Sequence, residues 1–402
     1  MIAITGGDLV LPDRLVTEGS LLLERTRISA IETRRIDASG AEMIDATGCY
    51  VVPGFIDVHV HGVEGCDTLD GDGSVGRIAS RLVRYGVTAF CPTTVACAPE
   101  VLRAFLKQVA RARVAPDGLV ARVLPSHLES NFINPDYRGA QPISCLRTAS
   151  GPQEGDYSGR DILNVIEDGR ADVGIVTLAP ELPGGIDLVR SLVAAGHRVS
   201  LGHSGADFET AIAAIEAGAR HATHLFNRMA PMTHRAPGLA GAVLERDDVA
   251  AELICDGLHV HPAVSRIAIA AKRPARIMAI TDATAGAGLP VGSSARLGGR
   301  PIQVRSGAAF LEDGTLAGST LTMNLAFKAI MDQFGGSPVD ATLMCSTTPA
   351  RELGLGGFGV LAEGAVADIV VLDRDCQVVR TFIGGDQVWA NSGAGAARLS
   401  HM

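Results

Sequence analysis

The spacing of apolar residues changes twice along the chain. Residues 1–52 alternate apolar and polar positions between Gly and Asp turns, as in ITGGDLVLPDRLV, GSLLLERTRISAIE and MIDATGCYVVP. Alternation with period two, broken by turn residues, predicts short antiparallel strands. The pattern returns near the end in GVLAEGAVADIVVLDRDCQVVRTFIGGDQVWA, 359–390. Two such segments flanking a long middle predict one small β-sandwich built from both termini, residues 1–52 with 358–395.

The middle, 53–357, follows another rule. Eight apolar runs are strand-like: GFIDVHVHG (54–62), VTAFCPTT (87–94), ARVLPSHLE (121–129), VGIVTLAPE (173–181), RVSLGHSG (198–205), HATHLFN (221–227), AELICDGLHV (251–260) and IMAITDAT (277–284). Between them lie amphipathic stretches such as SVGRIASRLVRYG, EVLRAFLKQVARA, GIDLVRSLVAAG, DFETAIAAIEAG and AVSRIAIAAKR, whose period predicts helices. Eight β–α alternations over ~230 residues predict an α/β fold, a TIM-type (β/α)8 barrel. The alternative is an open doubly wound sheet. No GxGxxG or Walker-type loop follows any of the runs, which favours the barrel.

Composition narrows the class. The 402 residues carry a formal net charge of -9 without a basic run, which gives no support for a nucleic-acid partner. The basic side is almost all arginine, with lysine only at Lys107, Lys272 and Lys328. The N-terminus lacks a basic segment ahead of a long apolar core, and no apolar stretch reaches the ~20 residues that a membrane helix needs. The expectation is a cytoplasmic chain with no membrane partner. Cysteines at 49, 66, 91, 97, 145, 255, 345 and 376 form no CxxC pair and read as reduced, mostly buried thiols.

Candidate chemistry lies at the C-terminal ends of the barrel runs, where this fold places its active site. His59 and His61 stand two apart at the end of the first run, so alternation puts both on one face. Glu129 ends the third run and His203 the fifth, His224 lies in the sixth, and Asp282 ends the eighth. Alone, each has an ordinary reading: a strand-end His is commonly a hydrogen-bonded core residue, and a strand-end Asp commonly caps the next helix. Together on five strands, four imidazoles and two carboxylates form a divalent-metal site in ligand type and number.

HVHG followed by Glu, His, His and Asp at later strand ends is the layout of the amidohydrolase superfamily. The segments GHSGA (202–206), THLFNRM (223–229), RAPGLAGAV (235–243), CDGLHV (255–260), ITDAT (280–284), LAGSTLTM (316–323) and TTPARELGL…EGAVADIVVLD resemble the N-acetylglucosamine-6-phosphate deacetylase family in particular. The resemblance implies a metal-dependent amide hydrolase that converts N-acetylglucosamine 6-phosphate to glucosamine 6-phosphate and acetate. It implies a divalent ion, Zn or Fe, on Glu129, His203 and His224, with His59 and His61 able to hold a second. Asp282 matches the proton-transfer residue, and His259 the histidine near the substrate carbonyl. The run VGIVTLAPE has no lysine of the kind that many two-metal amidohydrolases carboxylate, which leaves Glu129 as the carboxylate ligand. Asn227, the backbone at Arg228, and Arg235 match the family's phosphate contacts. In the family that Arg reaches a neighbouring subunit, so the resemblance also implies a homodimer.

Two departures bear on the substrate. Ser130 and Asn131 stand where the family has Gly-Pro, and Gln141 stands where it has a substrate-contacting His. Another N-acyl substrate, N-acetylgalactosamine 6-phosphate or an unphosphorylated compound, is therefore the alternative. Asp256 and Ser319–Thr320 are weaker candidates with a plain reading as turns and caps. His127 and His221 are expected to support the barrel; His197, His234 and His261 carry no case. A nucleobase or cyclic-amide hydrolase is opposed by the phosphate residues and the Glu ligand. A non-enzymatic barrel would have no reason to keep all six metal-site residues.

Overall fold

The computed structural model describes residues 1–391 apart from Ser39 and Asp117; residues 392–395 of the expected small domain lie outside the described residues. All eight runs become parallel barrel strands: Phe55–Val60, Val87–Thr94, Ser126–Glu129, Val173–Leu178, Arg198–Leu201, His221–Ala222, Ala250–Ile254 and Ile277–Ile280. Each pairs with the next, and a parallel bridge between Val60 and Ala283 joins the last to the first. The runs are mostly apolar because strands in this position are covered on both faces; Val87–Thr94 is buried at every residue.

Helices follow the strands and close the outer layer: Ser74–Leu82, Pro99–Val114, Gly159–Asp168, Gly185–Ala194, Phe208–Glu216, Gly238–Glu245, Pro262–Lys272 and Met323–Asp332. Their starts are set by local chemistry. Ser158 and Asp161 form a reciprocal capping box, and the Asp207 carboxylate accepts the Thr210 N–H at 2.8 Å, satisfying donors that a helix start leaves free.

The two termini make one mixed sheet of eight strands around its own apolar core, including Ile4, Leu9, Leu21, Val51, Ile369 and Phe382. Its central strand, Ile2–Val10, pairs along one edge with Glu42–Asp45 over its first half and with Tyr50–Pro53 over its second. The change of partner falls at Gly6, whose φ of 73° lets the strand bend between layers. This is the expected β-sandwich.

One element escapes the hydrophobic pattern. After the eighth barrel strand the chain forms a four-stranded antiparallel sheet: Ser294–Leu297, Arg300–Arg305, Ala308–Phe310 and Leu316–Ser319. Ser319 bridges Ala283, so this sheet is tied directly to the barrel mouth. Among the described residues, no helix is long and apolar enough to cross a membrane.

Candidate functional site

The barrel mouth gathers the six residues expected there. Glu129 Oε1 lies 2.8 Å from His203 Nε2 and 2.9 Å from His224 Nε2, and the two nitrogens are 3.1 Å apart. A second group sits beside it: His59 Nε2 is 3.2 Å from His61 Nε2, and Glu129 Oε2 is 3.5 Å from His61. Asp282 Oδ1 reaches both rings of that pair, at 3.4 and 3.3 Å. All six are buried, Asp282 least at 8 % exposure.

Backbone geometry aims them inward. His203, His224 and Asp282 have φ of 48°, 30° and 48°, left-handed conformations that non-glycine residues adopt at a cost and that concentrate at functional sites. Asp282 is held on both sides, its N–H donating to the His59 carbonyl at 3.0 Å and its carbonyl accepting the Ser319 N–H at 2.9 Å. Glycine is needed at two close approaches. A Cβ at Gly62 would lie 2.3 Å from the Cys66 carbonyl oxygen, and one at Gly318 2.9 Å from the Asp282 carbonyl oxygen.

The donor set fits a divalent ion. A backbone carbonyl can only accept, so the 2.7 Å contact from His203 Nδ1 to the Tyr137 carbonyl puts the ring proton on Nδ1. In its neutral form, the one that binds a metal, His203 then faces Glu129 with the Nε2 lone pair. His59 does likewise: Nδ1 lies 2.9 Å from Glu252 Oε2, so its Nε2 lone pair faces His61. Lone pairs converging on a carboxylate require positive charge between them. Separations of 2.8–3.1 Å are near the ~3.3 Å between ligands of a tetrahedral ion with ~2.0–2.1 Å bonds. Among the described residues, His61 Nδ1 and His224 Nδ1 are buried without a hydrogen-bond partner, so no second hydrogen bond fixes those rings. Both groups, His59–His61–Glu129 and Glu129–His203–His224, keep their donor atoms within 4.8 Å of one another.

Electrostatics follow the same geometry. Burial opposes the Glu129 carboxylate, but His203, His224 and His61 outweigh it and hold its pKa well below the ordinary value. Burial also opposes a charged His61, yet hydrogen bonds to Asp282 and Glu129 raise it to about 10. Asp282 is lowered despite burial because His59 and His61 stand beside it.

The cleft above these groups has about 480 Å³ of empty volume, counting the part open to solvent, and includes Gln141, Asn227, Arg228, His259 and Gly318 in its lining. His259 is oriented by Asp256, whose Oδ2 lies 2.6 Å from its Nδ1, leaving Nε2 for the cleft. The Asn227 amide donates to the His224 and Leu225 carbonyls. Arg228, exposed at the rim, lies over Gly139, where a Cβ would meet its Nε at 2.5 Å. Arg235 is exposed and is not among the residues lining its own chain's cleft.

The residues that depart from the family pattern sit differently from their sequence reading. Gln141 lines the cleft, but its amide is engaged: Oε1 accepts the Ala96 N–H at 2.7 Å and Nε2 donates to Glu129 Oε2. Ser130 and Asn131, read from sequence as part of a sugar-facing loop, do not line the cleft. Ser130 donates to the Thr177 carbonyl, and Asn131 Nδ2 to the Cys97 and Cys145 carbonyls at 2.8 and 2.7 Å. They face inward because these main-chain carbonyls, once covered, need donors. Asn131→Ala is therefore expected to cost about 2–3 kcal/mol of stability, the scale of two unpaired buried carbonyls. Urea unfolding would measure this; a KM for substrate raised more than threefold in a fully folded variant would contradict it.

Sequence reasoning missed Glu252, which ends no run. It is a single acidic residue in the apolar strand Ala250–Ile254, and it is fully buried. It missed Asp57, whose carboxylate takes the Thr281 hydroxyl at 2.6 Å and whose pKa burial raises to about 7. It also missed the pairing of His127 Nε2 with the Thr177 hydroxyl at 2.7 Å, which makes that histidine a barrel support as expected.

The model of the amidohydrolase family matches residues 50–388. The chain belongs to the amidohydrolase family. Among amidohydrolases it is 38% identical to the N-acetylglucosamine-6-phosphate deacetylase of Rattus norvegicus, over 98% of this chain and 95% of that protein. It is 36% identical to the N-acetylgalactosamine-6-phosphate deacetylase of Escherichia coli O157:H7, over 83% of this chain and 86% of that protein. A solved structure of a Mycobacterium smegmatis N-acetyl-D-glucosamine-6-phosphate deacetylase variant, in complex with N-acetyl-D-glucosamine 6-phosphate, superposes with TM-score 0.86 at 33% identity, covering 96% of this chain and 99% of that one. The resemblance carried by GHSGA, THLFN and DGLHV is thus borne out.

Proposed function

We propose that the chain hydrolyses the acetamide of N-acetyl-D-glucosamine 6-phosphate, releasing acetate and D-glucosamine 6-phosphate, with one or two divalent ions, Zn or Fe, as cofactor. The observation that carries this is the convergence of His59, His61, Glu129, His203, His224 and Asp282 at one mouth, in a chain similar to such deacetylases from end to end. Glu129, His203 and His224 would hold one ion and His59 with His61 a second. When bound, such an ion acidifies water and polarises the acetyl carbonyl.

The chain's own residues supply the rest. Asp282, whose Oδ1 lies 3.4 and 3.3 Å from the His59 and His61 rings, takes a proton from the attacking water and returns it to the departing amine. His259, its ring set by Asp256, lies in the cleft lining and positions the acyl group. Gln141 steers Glu129 by donating to Oε2, which leaves Oε1 toward His203 and His224. Asn227, Arg228 and Arg235 bind the 6-phosphate, where guanidinium groups give charged, multi-donor contacts. Arg235, which does not line its own cleft, acts on that of a partner in a homodimer. The reading includes a cytoplasmic location.

Assaying free amine with N-acetylglucosamine 6-phosphate, N-acetylgalactosamine 6-phosphate and N-acetylglucosamine tests this directly. Preference for the first by about tenfold or more is expected; no turnover of it with Zn²⁺, Fe²⁺ or Co²⁺ would refute the reading. The second reading, the galactosamine epimer, is favoured by Gln141 at the cleft and by the E. coli relative. Arg235→Ala should raise KM for the phosphorylated sugar about 10- to 100-fold, the worth of one or two charged hydrogen bonds, with kcat little changed. Mixing it with an Asp282→Asn chain should restore low-KM turnover only if the two sites are shared across subunits.

A further inference from the structure

Glu252 is a buried carboxylate with too few partners. It lies on the seventh barrel strand, on which the proposed ion-binding set has no member, and is fully buried. Oε2 faces His59 Nδ1 at 2.9 Å and the His224 N–H at 3.4 Å. Oε1 has no hydrogen-bond partner. His127 Nδ1 approaches it to 3.7 Å but is committed to the Val58 carbonyl at 3.0 Å. Among the described residues its ion-pair partners are the imidazoles of His59 and His127, with no Lys or Arg. An ionised carboxylate isolated in this way costs several kcal/mol, a cost that a nearby positive charge reduces.

His59 supplies the route to one. Its ring bridges Glu252 on Nδ1 and His61 on Nε2. A carboxylate behind a ligating imidazole fixes the tautomer, aims the distal lone pair and raises its basicity. We propose that Glu252 is the positioning residue of the His59–His61 pair, presenting His59 Nε2 as a lone pair and committing this chain to a second divalent ion. The ion's charge, passed through the His59 ring, offsets the buried carboxylate. His224 depends on Glu252 less, because the neighbouring Leu225 N–H to Glu252 carbonyl bond at 2.8 Å already anchors that segment through the backbone. The inference rests on the metal site proposed above, but needs no particular substrate.

The test is metal stoichiometry and affinity, measured by elemental analysis and by Co²⁺ titration followed in absorption, without substrate. Wild type should take up two ions per chain. Glu252→Leu should weaken the second ion by about 100-fold and Glu252→Gln, which keeps size and an acceptor oxygen but not charge, by about tenfold, while the first ion's affinity stays within about twofold. In a Glu252→Leu background, His59→Ala should add little further loss, since the two act as a unit. If Glu252→Leu fails to fold, the Gln variant still decides. Equal weakening of both ions, no weakening, or a wild-type chain that saturates at one ion would overturn the proposal. An inactive chain that shows this two-ion pattern refutes the proposed substrate and leaves this inference standing.

Discussion

Asp282→Asn should lower kcat about 10³-fold, within the range that a positioned acid–base group contributes, with KM changed little. The carboxylate is placed for proton transfer: its backbone is pinned by the His59 carbonyl and the Ser319 N–H, and Oδ1 stands 3.3–3.4 Å from both rings of the His pair. Asparagine keeps the volume but cannot take a proton. Steady-state kinetics with elemental analysis of the same sample would check it. A variant retaining more than a tenth of wild-type kcat would remove Asp282 from the mechanism.

Glu129→Ala should be more severe, abolishing metal retention at both groups and lowering activity on the order of 10⁴-fold or more, as when cooperating groups are lost as a unit. Its Oε1 serves His203 and His224 while Oε2 faces His61, so one truncation removes the carboxylate from both. The chain should still fold, because the barrel closes through strand pairing elsewhere, and thermal unfolding would verify that. Retention of a full complement of ions after dialysis would show that the histidines suffice.

Much of this site is legible in the order of residues alone, and for a physical reason. Barrel strands are buried on both faces and read as mostly apolar runs, so the polar residue that ends each one stands out. His59 and His61 declare a shared face by their spacing of two. The illegible parts share another property. Leu316–Ser319 and Ala308–Phe310 are too short and too weakly alternating to announce strands, yet Leu316–Ser319 pins Asp282 and lines the cleft, and Ala308–Phe310 holds it in place by pairing. Ser130 and Asn131 bear on the substrate in the sequence because they depart from the family's Gly-Pro, whereas their donors serve main-chain carbonyls contributed by distant segments. Glu252 sits inside a run rather than at its end, so its role follows from His59, which is distant in sequence and adjacent in space. Arg235 lies in an exposed loop and does not line the cleft of its own chain, so its proposed phosphate contact follows from the family resemblance and not from geometry within one chain.

The bent sheet of the two termini has a consequence for how the protein is made. Tyr50–Pro53 pairs with Ile369–Leu372, Pro53 standing opposite Ile369, so the sheet cannot be completed until about 300 residues of barrel have been synthesised. At ~5–20 residues per second the first strands wait on the order of 15–60 s with an edge unpaired and apolar residues such as Val51 uncovered. Closing so long a loop adds little thermodynamic penalty, about 0.6 kcal/mol per doubling of length, but it sets an order of events. Of the two halves of this sheet, the one that leaves the ribosome earlier must wait for the later one, and the barrel matures while the strand leading into it is still unsheathed.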